Sequence, residues 1–103
     1  NLLTRLNHEL QGDIDVSRFH YRARWQSSQS RIEMALVSQC SQTITLARQR
    51  WQFDADEALI TEHSVKYSPA AAEELARRAG WRIQQRWHDE NDHLSLHLLL
   101  PAN

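Results

Sequence analysis

The sequence predicts an α+β fold: mostly antiparallel strands, with an N-terminal helix, a second helix and a C-terminal β-hairpin. Three observations predict it. Leu2, Leu3, Leu6 and Leu10 recur at helical spacing ahead of a glycine, Gly12. Several stretches between residues 19 and 67 alternate apolar with polar side chains, as strands do. Ser68-Pro69 then opens a helical run that stops at Gly80, and two further alternating stretches follow around a polar loop.

Taken in order, residues 1–10 read as helix and residues 12–15 as a turn rich in acidic groups. Residues 19–25 form a strand, with Phe19, Tyr21, Ala23 and Trp25 on one face and His20, Arg22 and Arg24 on the other. Residues 26–30 are polar and turn-like. Ile32, Met34 and Leu36 alternate through the next strand, and Ile44 and Leu46 through another. Residues 38–42 between them are read either as a hairpin tip or as part of a long ribbon. Trp51 and Phe53 mark a short strand or a bend, and residues 54–58 a second acidic turn. Residues 59–67 read as a strand, with Thr61, His63, Val65 and Tyr67 facing one way and Glu62, Ser64 and Lys66 the other. In the second helix Ser68 is the N-cap and Pro69 the first helical residue. Glu73 and Glu74 are assigned to the N-terminal end of its dipole, Arg77 and Arg78 to the far end, and Gly80 to the stop. Residues 81–87 and 94–100 are strands, joined by the polar loop 88–93.

The totals bound the function. The chain has 103 residues, 41% apolar and 24% charged, which suits one small domain or part of a larger one and argues against disorder. The net charge of −1 lacks the basic excess of a phosphate-backbone binder, so no nucleic acid is expected. No apolar run approaches the ~20 residues that span a bilayer, so no membrane is expected either. Cys40 is the single cysteine, so no internal disulfide can form. With no signal-peptide pattern, this points to the cytoplasm. The chain opens on Asn1, read as a removed start or an excised piece. Four tryptophans point to substantial aromatic packing or a pocket.

The two glycines, Gly12 and Gly80, are far apart, so no glycine-rich turn is available to approach a nucleotide or adenosine cofactor. His88 and His93 share a loop with Asp89, Glu90 and Asp92, but the spacing matches no compact zinc pattern. The loop reads as a solvated hairpin tip, and no metal is expected. His63 reads as a structural histidine among apolar neighbours, and His97 as an outward strand residue. His63 and Ser64, adjacent on a strand, face opposite ways, which argues against a serine nucleophile. Cys40 has no obvious cationic partner and reads as a small strand-end residue. The most informative feature is the face Glu62, Ser64 and Lys66. A carboxylate and a hydroxyl two residues apart lie about 6–7 Å from one another along a strand. That spacing suits hydrogen bonds to two points of one small polar ring, although the pattern alone favours a solvated polar face, since half-polar strands are common.

Residues Ile60-Thr61-Glu62-His63-Ser64-Val65-Lys66-Tyr67 resemble the T-E-x-S-x-K-[FY] stretch of histidine-specific, S-adenosylmethionine (SAM)-dependent methyltransferases. Other segments agree in order. Residues 1–10 resemble the family's N-x-L-x-x-[IVL]-N-x-E-L helix, continued by Gly12-Asp13-Ile14-Asp15, Phe19 and Ala23-Arg24-Trp25. Arg31-Ile32-Glu33-Met34 matches the R-I-E-M strand, and Ala79-Gly80-Trp81 and Trp87-His88-Asp89 are similar to the closing helix and hairpin. The resemblance spans essentially the whole chain.

What it implies is a fragment of a Rossmann-like methyltransferase plus its substrate-binding domain. Residues 1–67 would be part of the substrate-binding domain, and 68–103 the last helix and hairpin of the methyltransferase domain. The parent would be an enzyme that trimethylates the α-amino group of histidine in ergothioneine biosynthesis. SAM would be held by residues upstream, so this chain alone is expected to be inactive and to carry no catalytic group. By the same resemblance Glu62 and Ser64 hold the substrate imidazole and Met34 packs near the ring. His63 stands where the family usually has an aliphatic residue. It faces away from Glu62, so a change of packing is expected and no change of substrate. Two other readings stay open: a same-family enzyme for a tryptophan-like amine, which Glu62 and Met34 argue against, and a non-catalytic binding or interaction domain. Exposed apolar faces would favour the fragment reading, and unpaired sheet edges would allow a homodimer.

Overall fold

The structure, a computed structural model, describes residues 2–103 and is α+β with antiparallel sheets. The helix assignment at Asn1 lies outside the described residues. The chain divides into two compact units, one running to Val65 and the other starting at Lys66.

The first unit begins with α1 (Leu2–Leu10), which buries Leu3 and half-buries Leu6. Asn7 turns the chain back after the helix. Its amide donates to the Ile14 carbonyl and accepts from the Ile14 N–H, both at 2.8 Å. Gly12 sits in this return, where a Cβ would collide with the side chains of Leu46 and Asn7. Asp15 caps a short 3₁₀ turn, Val16–Arg18, through the Ser17 N–H. Then come β1 (Phe19–Gln26), β2 (Arg31–Ser38), β3 (Gln42–Leu46), β4 (Gln49–Phe53) and β5 (Ala58–Val65).

Strands β1, β2 and β5 form one antiparallel sheet with β2 at its centre, and β3 and β4 form a separate hairpin. Residues 38–42 are therefore neither a hairpin tip nor a continuous ribbon. They are a corner between two sheets. Ser38 is fully buried there, its hydroxyl donating to the Cys40 carbonyl and accepting from the Gln42 amide at 2.6 Å. These bonds satisfy polar groups that would otherwise be buried without partners. The β3–β4 turn places Ala47 (φ 49°) and Arg48 (φ 66°) in the left-handed region. Two such residues define the turn whose twist matches a hairpin.

The core of this unit joins Leu3, Ile14, Phe19, Ile44 and Phe53, with Leu36 and Leu59 packed against it. Phe19 and Phe53 meet edge to face, centroids 5.4 Å apart. The four tryptophans do not make this core: Trp25, Trp51, Trp81 and Trp87 are all exposed. The alternation that placed them on strands did not fix which faces would be covered.

In the second unit, α2 (Pro69–Arg78) starts as expected, with the Ser68 hydroxyl accepting from the Ala71 N–H at 3.1 Å. Its first turn holds no acidic residue. Glu73 and Glu74 fall beyond it and make ion pairs instead, Glu74 with Arg77 and Glu73 with Arg86, each at 2.7 Å. Gly80 ends the helix at φ 85°. Strands β6 (Trp81–His88) and β7 (Ser95–Pro101) pair as a hairpin. Helix α2 packs on β6, and Ala72, Ala76 and Ala79 line a cleft with Trp81 and Leu99. On the other face Trp87 pairs with Leu96 and Gln85 with Leu98. That face is bare: Leu96 is 68% exposed, Leu98 47% and Trp87 49%.

Candidate functional site

Strand β5 does not run as the alternation expects. It ends at Val65, because Val65 pairs with Arg31, the first residue of β2, and no ladder lies beyond. Lys66 and Tyr67 therefore lie outside the strand, and the expected face Glu62-Ser64-Lys66 is cut to its first two members. The ladder is also irregular. Met34 pairs with Glu62, but the next residue, Ala35, pairs with Ile60. Thr61 is the extra residue of a β-bulge. Its hydroxyl donates to the Met34 carbonyl at 3.1 Å, closing the gap in the ladder.

The bulge corrects the expected facing. Thr61 was assigned to the side of His63, yet Thr61 and Glu62 together line one open depression with Leu2, Tyr21 and Leu36, about 460 Å³ in volume. Met34 lies beside it, directly opposite Glu62 in register, and Ser64 opposes Ile32 two pairs further along, on the same face. Neither Met34 nor Ser64 lines the depression itself. The depression sits where the core face of the sheet gives way to an open one: Phe19 is 8% exposed, whereas Tyr21 is 61% and Trp25 57% exposed on the same strand face. Tyr21 and Leu36 were readable as residues of that face, but not as walls. Thr61 left no signal, since nothing in a strand's composition announces a bulge at this position.

The opposite face carries a charge cluster. Glu33, adjacent to Met34, is buried at 8% exposure. It accepts from Arg24 Nη2 at 3.2 Å and Gln26 Nε2 at 2.9 Å, with His63 Nε2 at 3.6 Å and Arg22 Nη2 at 3.9 Å. Burial acts to raise the Glu33 pKa. The hydrogen bond and charge of Arg24, with the bonds from His63 and Gln26, outweigh it and hold the carboxyl below the usual value. The neighbours of His63 are thus charged and polar, contrary to the apolar surroundings expected, because Arg24 and Glu33 occupy the paired positions on β1 and β2. His63 does face away from Glu62.

Three further histidines, His88, His93 and His97, lie in the second unit. The loop after β6 is organised by Asp89, which accepts from the backbone N–H groups of His93 and Leu94 at 2.7 and 3.0 Å. His88 Nδ1 lies 3.1 Å from Asp92. His97 is half-buried and bonded to the Ser95 hydroxyl at 2.9 Å, so it is not the outward residue expected. His88, His93 and His97 share a depression of about 390 Å³. Among the described residues no cluster of three or more histidine, cysteine or acidic side chains is placed to hold a metal ion. None of the described helices is long and apolar enough to cross a membrane. Neither glycine forms a strand-to-helix turn: Gly12 follows α1 and Gly80 precedes β6. Among the described residues, then, no glycine-rich turn leads from a strand into a helix.

Comparison with known proteins supplies the class. Residues 1–101 match the model of the family described as histidine-specific methyltransferase, SAM-dependent. The chain belongs to this family. Among its relatives is the histidine N-alpha-methyltransferase of Mycobacterium tuberculosis, 36% identical over 100 residues, or 95% of this chain and 31% of the relative. The histidine N-alpha-methyltransferase of Mycolicibacterium smegmatis is 34% identical over 91 residues, 86% of this chain and 28% of the relative. The chain thus spans about a third of the length of these relatives, in their C-terminal portion.

Proposed function

We propose that this chain works as the C-terminal part of a SAM-dependent enzyme that methylates the α-amino group of histidine, and that its share of the task is to read the imidazole. The observation that carries this reading is the pairing of Glu62 with Met34 at the rim of an open depression, in a chain of this family. A carboxylate accepting from an imidazole N–H forms a charge-assisted bond, stronger than its neutral counterpart. Ser64, two pairs along on the same strand face, would bond the second ring nitrogen. Met34 offers an apolar, adaptable surface to the ring and keeps water from the Glu62 contact. A side chain without the ring N–H would leave Glu62 unpaired, which is how the site would reject it.

SAM, when bound, supplies the methyl group through its sulfonium. Its site would come from residues outside this chain, as would the groups that align the amine. Glu62 and Ser64 orient the substrate, and neither is assigned as base or nucleophile. The reading extends to the architecture. The first unit would be part of a substrate-binding domain. The second would be the closing helix and hairpin of a Rossmann-like methyltransferase sheet, which accords with the bare face of β6–β7. Trimethylation, ergothioneine biosynthesis and a cytoplasmic setting belong to the same reading.

The test is calorimetric titration of histidine, with and without SAM, into the enzyme carrying this segment and into its Glu62→Ala variant. The variant should bind histidine weaker by roughly 1.5–3 kcal/mol, the usual worth of a hydrogen bond to a charged group. Wild-type binding of tryptophan in preference to histidine would overturn the substrate assignment.

A further inference from the structure

The bulge at Thr61 divides β5 between two registers. On one side Arg31, Ile32, Glu33 and Met34 pair with Val65, Ser64, His63 and Glu62. On the other Ala35, Leu36 and Val37 pair with Ile60, Leu59 and Ala58, one residue out of step. If the second register ran on to the end of the strand, Met34 would face Thr61, Glu33 would face Glu62 and Ile32 would face His63. A slip of one residue turns every side chain to the other face of a strand. The depression would lose Glu62 and gain His63.

We propose that Glu33 is the positioning residue that forbids this slip and thereby decides that Glu62, and not His63, faces the depression. In the observed register Glu33 has His63 opposite it, with Nε2 at 3.6 Å, and Arg24 on its other side at 3.2 Å. In the slipped register a second carboxylate, Glu62, would stand directly opposite Glu33. Like charges opposed across a ladder are destabilising, the more so where one of them is already buried. Each member of the cluster is the sequence neighbour of a residue on the open face: Arg24 follows Ala23, Glu33 precedes Met34, and His63 separates Glu62 from Ser64. The charges on the back of the sheet therefore set the chemistry on its front. Glu33 itself touches no substrate. The functional consequence rests on the assignment of Glu62 to the imidazole, whereas the choice of register does not.

The experiment reads the register directly, from cross-strand nuclear Overhauser contacts in the isotopically labelled chain. Glu33→Asp keeps the charge and changes the shape, Glu33→Gln keeps the shape and removes the charge, and His63→Glu makes the two registers equal in charge. The wild type and Glu33→Asp should show contacts 33–63 and 34–62 alone. Glu33→Gln and His63→Glu should add, or change to, contacts 33–62 and 34–61. Should Glu33→Gln fail to fold, His63→Glu carries the same comparison with Glu33 intact. Retention of the observed contacts alone in both charge variants overturns the proposal, as does their loss in Glu33→Asp with retention in Glu33→Gln, which would make shape the determinant. Histidine titration of the same variants in the enzyme separates the two claims. Affinity should fall by the reciprocal of the fraction left in the observed register. A register change in the variants of an enzyme that never binds histidine overturns the substrate reading and leaves the role of Glu33 standing.

Discussion

Glu33 holds a buried charge, and the stability of the first unit should depend on pH through it. Its folded pKa lies below the ordinary 4.5, because Arg24, His63 and Gln26 together outweigh the cost of burial. A carboxyl lowered in this way stabilises the fold fully above its unfolded pKa. That stabilisation is lost as pH falls from about 4.5 through the folded value. Asp15, in the same unit, is lowered by Ser17 and contributes with the same sign, and Glu74, lowered by Arg77, does so in the second unit. Chemical denaturation at several pH values should show Glu33→Gln less stable than wild type at neutral pH. The gap should close on acidification, while Asp15 and Glu74 keep part of the acid slope in both proteins. A gap independent of pH would mean that the carboxylate charge contributes nothing. Phe19 is the apolar counterpart. Phe19→Ala removes one ring of the edge-to-face pair and should cost about 3–5 kcal/mol, read as a lower urea midpoint for the first unit.

At the level of elements, the β3–β4 hairpin turns on two residues, Ala47 and Arg48, that adopt positive φ at a cost of roughly 1–2 kcal/mol each. Replacing them together, Ala47→Asn with Arg48→Gly, supplies the residues this turn prefers. Thermal unfolding should show the doubly substituted chain more stable by about 1–2 kcal/mol. Ser68→Ala should act oppositely on α2, costing about 1 kcal/mol through loss of the bond to the Ala71 N–H. The two elements also show what the sequence discloses. Helix α2 was legible at both ends because Ser68-Pro69 and Gly80 each have one dominant physical use. The turn at Ala47-Arg48 was not, since neither residue favours the conformation it takes and pairing of the flanking strands imposes it. Strand β5 was legible as a strand but misjudged in length and facing. Its end is set by where β2 begins, and its facing by a bulge, and both are properties of a partner strand. For the same reason Glu62 was identifiable as a polar face residue, while Tyr21, Leu36 and Thr61 beside it became walls only once three strands met.

Across the whole chain, the bare face of β6–β7 is the feature with the widest effect. Trp87, Leu96 and Leu98 present an exposed apolar surface on this hairpin, and such surfaces favour association. Sedimentation of the isolated chain should therefore depend on concentration, and Leu96→Lys, at a position 68% exposed, should weaken the self-association without unfolding the hairpin. A wild-type chain that stays monomeric at high concentration would count against the face as an association surface. The bulge at Thr61 has a different kind of reach. Excising a residue from the middle of a strand ordinarily reverses everything beyond the cut and ruins a sheet. Here residue 61 is already surplus to the ladder, and its removal would join Ile60 to Glu62 with all seven β2–β5 pairings intact. This strand should therefore tolerate a change in its own length. Homologous enzymes one residue shorter at this point could share the same sheet and differ only in the shape of the hollow beside Glu62.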